Sequence, residues 1–190
     1  IDTALEYYQM FNVMDVQILT QLRQGKKCTS ESINKIIQME INKSPFIPGV
    51  KGKEKYQEKF KVGDKVIQIK NNYTKEIFNG SIGIIKEYRE EKREVVVNFI
   101  DGSDYIEISY FVPEEKGEIE VNENVYYNLD LAYAMTIHKS QGQEFKAIVL
   151  LVNNYFFINK KMIYTGITRA REKATIISNH TILQHGIVTE

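Results

Sequence analysis

The chain has 190 residues, 43% of them hydrophobic and 26% charged, with 25 Lys plus Arg against 25 Asp plus Glu. That length allows one ordinary domain, or one domain carrying a smaller insert, and the composition is that of a soluble folded protein. Zero net charge excludes a globally basic nucleic-acid binder, so any basic surface has to be local.

Residues Thr3–Phe11 place Leu5, Tyr8 and Phe11 at helical spacing and predict a short amphipathic helix. Val13–Leu19 is a compact apolar run that predicts a buried strand, leading into a basic loop, Thr20–Lys27, that contains Gly25. Thr29 or Ser30 then caps a helix carrying Ile33, Ile36, Ile37, Met39 and Ile41, which Pro45 and Pro48 terminate. Gly49–Glu58 reads as a solvated basic connector.

After Phe60 the texture changes. Lys65–Ile69, Ser81–Tyr88, Glu94–Ile100 and Tyr105–Ser109 read as short strands, with turn chemistry at Asp64, Asn79-Gly80 and Asp101-Gly102. Strands this short and this close predict a small closed or partly open barrel of the SH3 or OB type. We assign it to residues 58–112 and read it as an insertion. Around it, 1–57 and 113–190 alternate strand and helix. Ala147–Val152 and Ala174–Ser178 are apolar strands without polar alternation, and Lys160–Ala170 is predicted as a helix between them. That rhythm predicts an α/β domain with a parallel sheet.

Cys28 has no partner for an internal disulfide, which fits a reducing compartment, and a cytoplasmic location is expected. No apolar run approaches the ~20 residues that span a bilayer, and no membrane partner is expected. The opening residues do not read as a signal peptide. The sequons at Asn42, Asn72, Asn79 and Asn179 are therefore read as chance. The chain opens on Ile1 rather than Met, so a piece of a longer protein is expected.

The chemistry concentrates in Thr136–Glu144. Ser140, Gln141 and Gly142 let backbone amides approach a phosphate or sugar. His138 can donate to a phosphate oxygen or stack on a base, and Glu144 can accept from a ribose hydroxyl. The plainer reading makes His138 a loop histidine and Glu144 a helix-start carboxylate. Arg169 and Arg171 have the planar, permanent charge that clamps phosphoryl oxygens, or are surface helix residues. Arg23 follows a buried strand, where α/β sheets bind ligands. Asn72, Tyr73 and Asn79 suit single-stranded nucleic acid, or are turn formers. A G-x-x-x-x-G-K-[ST] phosphate loop is missing: Lys27 follows Gly25-Lys26, and Thr20 stands where the first glycine belongs. No acidic pair follows a strand as a magnesium site requires. His138, His180, His185 and Cys28 lack metal-ligand spacing, so no metal site is expected.

Together, TIHKSQGQEF (136–145) and YTGITRAR (164–171) resemble motifs V and VI of superfamily 1 DNA helicases, in particular the RecD-like group. VQILTQLRQG resembles the motif IV region, with Gln21 where a proline often stands. FKVGDKVIQIKNNYTKEIFNGSIGII resembles the SH3-like subdomain inserted into the second motor domain of RecD-type enzymes. The resemblance implies a RecA-like (P-loop NTPase-type) domain lacking the phosphate loop, interrupted by a small SH3-like β-barrel. It implies ATP with Mg2+, bound mainly by an absent N-terminal RecA-like domain. It implies single-stranded DNA and duplex junctions as partners, with nuclease or other helicase subunits as further candidates, in repair or recombination. Arg169 would be the arginine finger, with Arg23 as a candidate γ-phosphate contact. Gly142, Gln143, Glu144 and Arg171 would face the nucleotide. Thr136, His138, Lys139, Ser140, Asn72, Tyr73 and Asn79 would face DNA. The fragment alone is expected not to hydrolyse ATP. A conjugative relaxase's helicase section and a non-motor nucleic-acid-binding module are the alternatives.

Overall fold

The computed structural model describes residues 1–25, 28–49, 58–101, 104–114 and 123–189. Lys26, Lys27, most of the basic connector and Gly102 lie outside them. The chain forms two compact units, 1–41 with 133–190, and 42–132.

The first unit holds a four-stranded sheet in the order β7-β1-β8-β9, every pair parallel. Its strands are β1 (Val16–Thr20), β7 (Ala134–Thr136), β8 (Phe145–Val152) and β9 (Ala170–Ser178). β1 is buried along its whole length, and Ala147–Leu150 of β8 are buried beside it. This is the near-continuous burial that a parallel sheet demands, because helices cover both faces. Each buried Val, Leu or Ile contributes about 1.5–3 kcal/mol. Edge strand β9 carries exposed Arg171, Glu172 and Lys173, charges that discourage pairing with another chain.

Helices α1 (Asp2–Met10), α2 (Ser30–Ile41), α4 (Lys160–Ile167) and α5 (His180–Val188) complete the unit. Thr29, not Ser30, caps α2: its Oγ1 accepts from the Ser32 amide at 3.3 Å, and the Ser32 hydroxyl accepts from the Thr29 amide at 3.1 Å. Ile33 and Ile37 are buried, whereas Ile36 and Met39 stay exposed. Asn34 lies one residue from Ile33, and its side-chain amide meets Ala134 on edge strand β7. Nδ2 donates to the Ala134 carbonyl at 2.9 Å, and Oδ1 accepts from its amide at 2.7 Å.

Two sequence expectations move. The run from Val13 begins as a 3-10 turn, Val13–Asp15, because the Asn12 side chain accepts from the Met14 amide. The strand therefore starts at Val16. The predicted Lys160–Ala170 helix stops at Ile167, and Ala170 already belongs to β9. Helix α5 was not predicted.

The second unit is a five-stranded antiparallel sheet in the order β5-β4-β3-β2-β6. Its strands are β2 (Lys65–Gln68), β3 (Ile82–Arg89), β4 (Glu94–Asp101), β5 (Asp104–Phe111) and β6 (Leu129–Leu131). Among the described residues no ladder joins β5 to β6, and the isolated Phe111–Asn124 bridge does not close a barrel. A short helix, α3 (Val125–Asn128), precedes β6. The unit therefore runs well beyond the expected 58–112, because β6 supplies its last strand and Asn42 joins its polar core. The Asn42 amide donates to Asp64 Oδ1 at 2.7 Å, and Lys61 Nζ donates to the Asn42 carbonyl at 2.9 Å. Gly83 is needed in β3: a Cβ there would stand 2.5 Å from the Asn98 carbonyl oxygen.

Asn34→Ala should lower stability by about 1–3 kcal/mol, because the Ala134 amide and carbonyl then lose a buried partner. Urea unfolding of the two proteins measures this directly. Equal midpoints would show that the helix-to-strand bridge is dispensable.

Candidate nucleotide and DNA interface

The site is the loop from β7 to β8. Thr136 ends β7 level with Thr20 of β1, and Thr20 is level with Leu151 of β8. The chain must return from there to Phe145 at the start of β8. Six residues of β8 separate the two levels, about 20 Å at the usual strand rise. The loop therefore joins the carboxyl ends of β7 and β1 to the amino ends of β8 and β9.

Short contacts shape the loop at its first end. The Ile137 amide donates to the Thr20 carbonyl at 3.0 Å. A 3-10 turn, His138–Ser140, follows, and Thr136 Oγ1 accepts from the Lys139 amide at 3.3 Å. His138 is exposed. Ser140 is not. It is fully buried, and its hydroxyl donates to the Ile137 carbonyl at 2.8 Å, so it shapes the turn instead of facing a ligand.

Gly142 opens the second end. Its φ is +82°, in the left-handed region, and a Cβ built on it meets nothing within 4 Å. Backbone conformation calls for glycine here, and the space beside it stays open for close approach. Glu144 follows, and its Oε2 accepts from Arg171 Nε at 2.8 Å, with the two side chains 53% and 66% exposed. An ion pair this open contributes about 0–1 kcal/mol, so a ligand can displace it cheaply.

Arg169 sits where α4 turns into β9. Its Nε donates to the Thr165 carbonyl at 3.1 Å, Nη1 to the Gln143 carbonyl at 3.1 Å, and Nη2 to Thr168 Oγ1 at 3.2 Å. The Thr165 carbonyl belongs to the last turn of α4, where helix carbonyls lack helical partners and the dipole favours a cation. The Arg169 carbonyl in turn accepts from the Phe145 amide at 2.8 Å. The guanidinium thus ties the loop to α4.

The structure gathers Gly142, Gln143, Glu144, Arg169 and Arg171 at one end, and Thr136, His138 and Lys139 at the other. It does not bring Arg23 to Arg169. Arg23 lies three residues past Thr20, beyond the carboxyl end of β1, whereas Arg169 directly precedes β9. In the second unit, Tyr73 is 76% exposed and edge-on to Phe78 at 6.1 Å. Asn72 is occupied as a turn former, its Oδ1 accepting from the Lys75 amide at 3.0 Å, and the Asn79 amide donates to Asn71 Oδ1 at 2.9 Å. Among the described residues no three His, Cys, Asp or Glu side chains cluster as metal ligands do.

Sequence reasoning missed Gln21, which binds the loop after β8. Its signal is a polar residue directly behind a buried strand, where the motif usually has proline. It also missed Asn34, although Asn34 and Gln38 share the helical spacing of Ile33 and Ile37.

A double-mutant cycle on Glu144 and Arg171 should return a coupling below about 1 kcal/mol. A coupling of several kcal/mol would mark the pair as a fixed structural lock, closed to a ligand.

Residues 33–99 match the family described as the ATP-dependent RecD-like DNA helicase SH3 domain, and residues 131–177 match the UvrD-like helicase C-terminal domain. The ATP-dependent RecD2 DNA helicase of Deinococcus radiodurans is 29% identical over 160 residues, 83% of this chain and 19% of that protein. The RecBCD enzyme subunit RecD of Buchnera aphidicola subsp. Acyrthosiphon pisum is 30% identical over 132 residues, 68% of this chain and 20% of that one. The chain thus spans about a fifth of the length of these curated relatives. The crystal structure of Bacteroides Pif1 bound to ssDNA superposes on 92% of this chain and 43% of its own, with a TM-score of 0.55 at 18% identity, a likeness of fold. The chain thus carries an SH3 region of the RecD-like DNA helicase type and a UvrD-like helicase C-terminal region, and its relatives include RecD proteins at 29–30% identity.

Proposed function

We propose that this chain acts as the second motor domain of an ATP-dependent DNA helicase, coupling ATP hydrolysis to single-strand translocation and unwinding. The single observation that carries the reading is the course of the 137–144 loop. It joins a polar end containing Thr136 and His138 to a glycine-bearing end beside Arg169. One segment can therefore feel both DNA and nucleotide.

In this reading Gly142 keeps the backbone close to the nucleotide and Glu144 exchanges Arg171 for a ribose hydroxyl. Arg169 meets the γ-phosphate. A guanidinium supplied from outside the phosphate loop stabilises charge as the phosphoryl group transfers, and is worth about 10³–10⁵ in rate. ATP and Mg2+ are held mainly by the first motor domain, which carries the phosphate loop and the metal carboxylates. Thr136, His138 and Lys139 face the DNA backbone. Tyr73 of the second unit offers a ring to single-stranded bases, with Asn72 and Asn79 shaping its turn. Duplex junctions are the working substrate, and DNA repair or recombination is the setting.

Two measurements test this. The chain should bind a fluorescein-labelled single-stranded oligonucleotide with an affinity that falls as salt rises, by a slope of about −0.7 per phosphate contacted. Tyr73→Ala and His138→Ala should each weaken binding. Affinity indifferent to salt and to both substitutions would remove DNA from the reading. In a helicase containing both motor domains, Arg169→Ala should cut ATP turnover by about 10³-fold or more while leaving oligonucleotide affinity nearly unchanged. Substantial ATP hydrolysis by this chain alone, abolished by Arg169→Ala, would overturn the division of labour.

A further inference from the structure

The sheet end that carries Thr136 has a second feature. β8 ends at Val152, one residue past the level of Thr20, and the chain then turns through residues 153–157. Gln21, the first residue after β1, clamps that turn with its whole side-chain amide. Nε2 donates to the carbonyls of Asn154 and Phe157 at 2.9 and 3.0 Å. Oε1 accepts from the amides of Asn153 and Asn154 at 2.8 and 2.7 Å. Gln21 itself is buried, and Asn154 Oδ1 adds a brace by accepting from the Phe156 amide at 3.0 Å. Four bonds from one buried side chain fix the turn more firmly than its loop sequence would.

What this fixed turn displays is aromatic. Tyr155 stacks on His185 with ring centroids 3.8 Å apart and planes at 13°. Phe156 stands edge-on to Tyr155 at 6.1 Å and is 90% exposed. Phe157 is also exposed, and Lys160 and Lys161 follow in the first turn of α4, both exposed. Rings with free faces beside ammonium groups suit single-stranded nucleic acid, where bases stack and phosphates meet cations. Position agrees with this chemistry. β7, β1 and β8 are neighbours in the sheet, so the turn lies about 10 Å from the Thr136 end of β7 at the usual strand spacing.

We propose that the 153–157 turn is a base-stacking platform for single-stranded DNA, with Phe156 as its contacting ring and Gln21 as its positioning residue. The proposal rests on the DNA-facing reading of the Thr136 end and extends it to a surface outside the helicase motifs. A preset ring also makes physical sense there. Stacking tolerates any base, so a motor can move along the strand without reading its sequence.

The test uses the 190-residue chain and a fluorescein-labelled oligo(dT), followed by anisotropy at several salt concentrations. Phe156→Ala should raise Kd about fivefold to a hundredfold. The salt slope should stay the same, because a ring contacts no phosphate. Phe156→Trp should keep tight binding. Gln21→Ala should give a smaller loss, and because Gln21 is buried, the exposed Phe156 variants decide the matter. Salt-dependent binding by the wild type that is unchanged in Phe156→Ala overturns the platform while leaving the DNA-facing reading intact. Self-association of the wild type that Phe156→Ala abolishes, with DNA affinity unaltered, assigns the patch to a second copy and also overturns it. Failure of the wild type to bind at all removes both.

Discussion

The parallel pairing of β1 with strands on both sides governs the first unit of this molecule. β1 is five residues long, buried throughout, and bonded to β7 on one flank and β8 on the other. Because β7 is short and joins only the carboxyl half of β1, the chain leaving it must travel back along the sheet to begin β8. That forced return creates a loop with two chemically different ends about 20 Å apart. Asn34 protects the arrangement by bonding both backbone groups of Ala134 on the flank of β7 away from β1.

The two ends are held by different means. At the first, backbone bonds and the buried Ser140 hydroxyl fold a tight turn that leaves His138 outside. At the second, the Arg169 guanidinium spans the Gln143 carbonyl and the last turn of α4. An arginine that braces a loop in one state and meets a phosphate in another would transmit the presence of that phosphate to the loop. Glu144 and Arg171 fit the same logic. Their exposed ion pair holds the carboxylate in place without a large penalty for release.

Much of this was legible in the sequence, for local physical reasons. Apolar runs such as Ala147–Val152 declare buried strands, and the polar glycine loop between buried elements stands out by contrast. The motif pair around Gly142 and Arg169 pointed to the right family. What could not be read was non-local. Leu129–Leu131 completes the second unit's sheet, yet three residues with a central Asp look like any loop. Arg23 was read as a ligand contact because it follows a buried strand, but only strand register shows that β1 ends level with Leu151 of β8 while Arg169 precedes β9 at the level of Phe145. Ser140 looked like a ligand-facing hydroxyl until its burial was known. Gln21 broke the expected motif pattern, and its four bonds to the turn after β8 depend on residues more than a hundred positions away.

The most direct test of a loop that couples two ends is amide hydrogen exchange across residues 136–145 of this chain, with and without a saturating single-stranded oligonucleotide. DNA bound at the Thr136 end should alter protection there and also at Gly142–Phe145, beside Arg169. A change confined to Thr136–Lys139, with the amides near Arg169 exchanging as before, would contradict it.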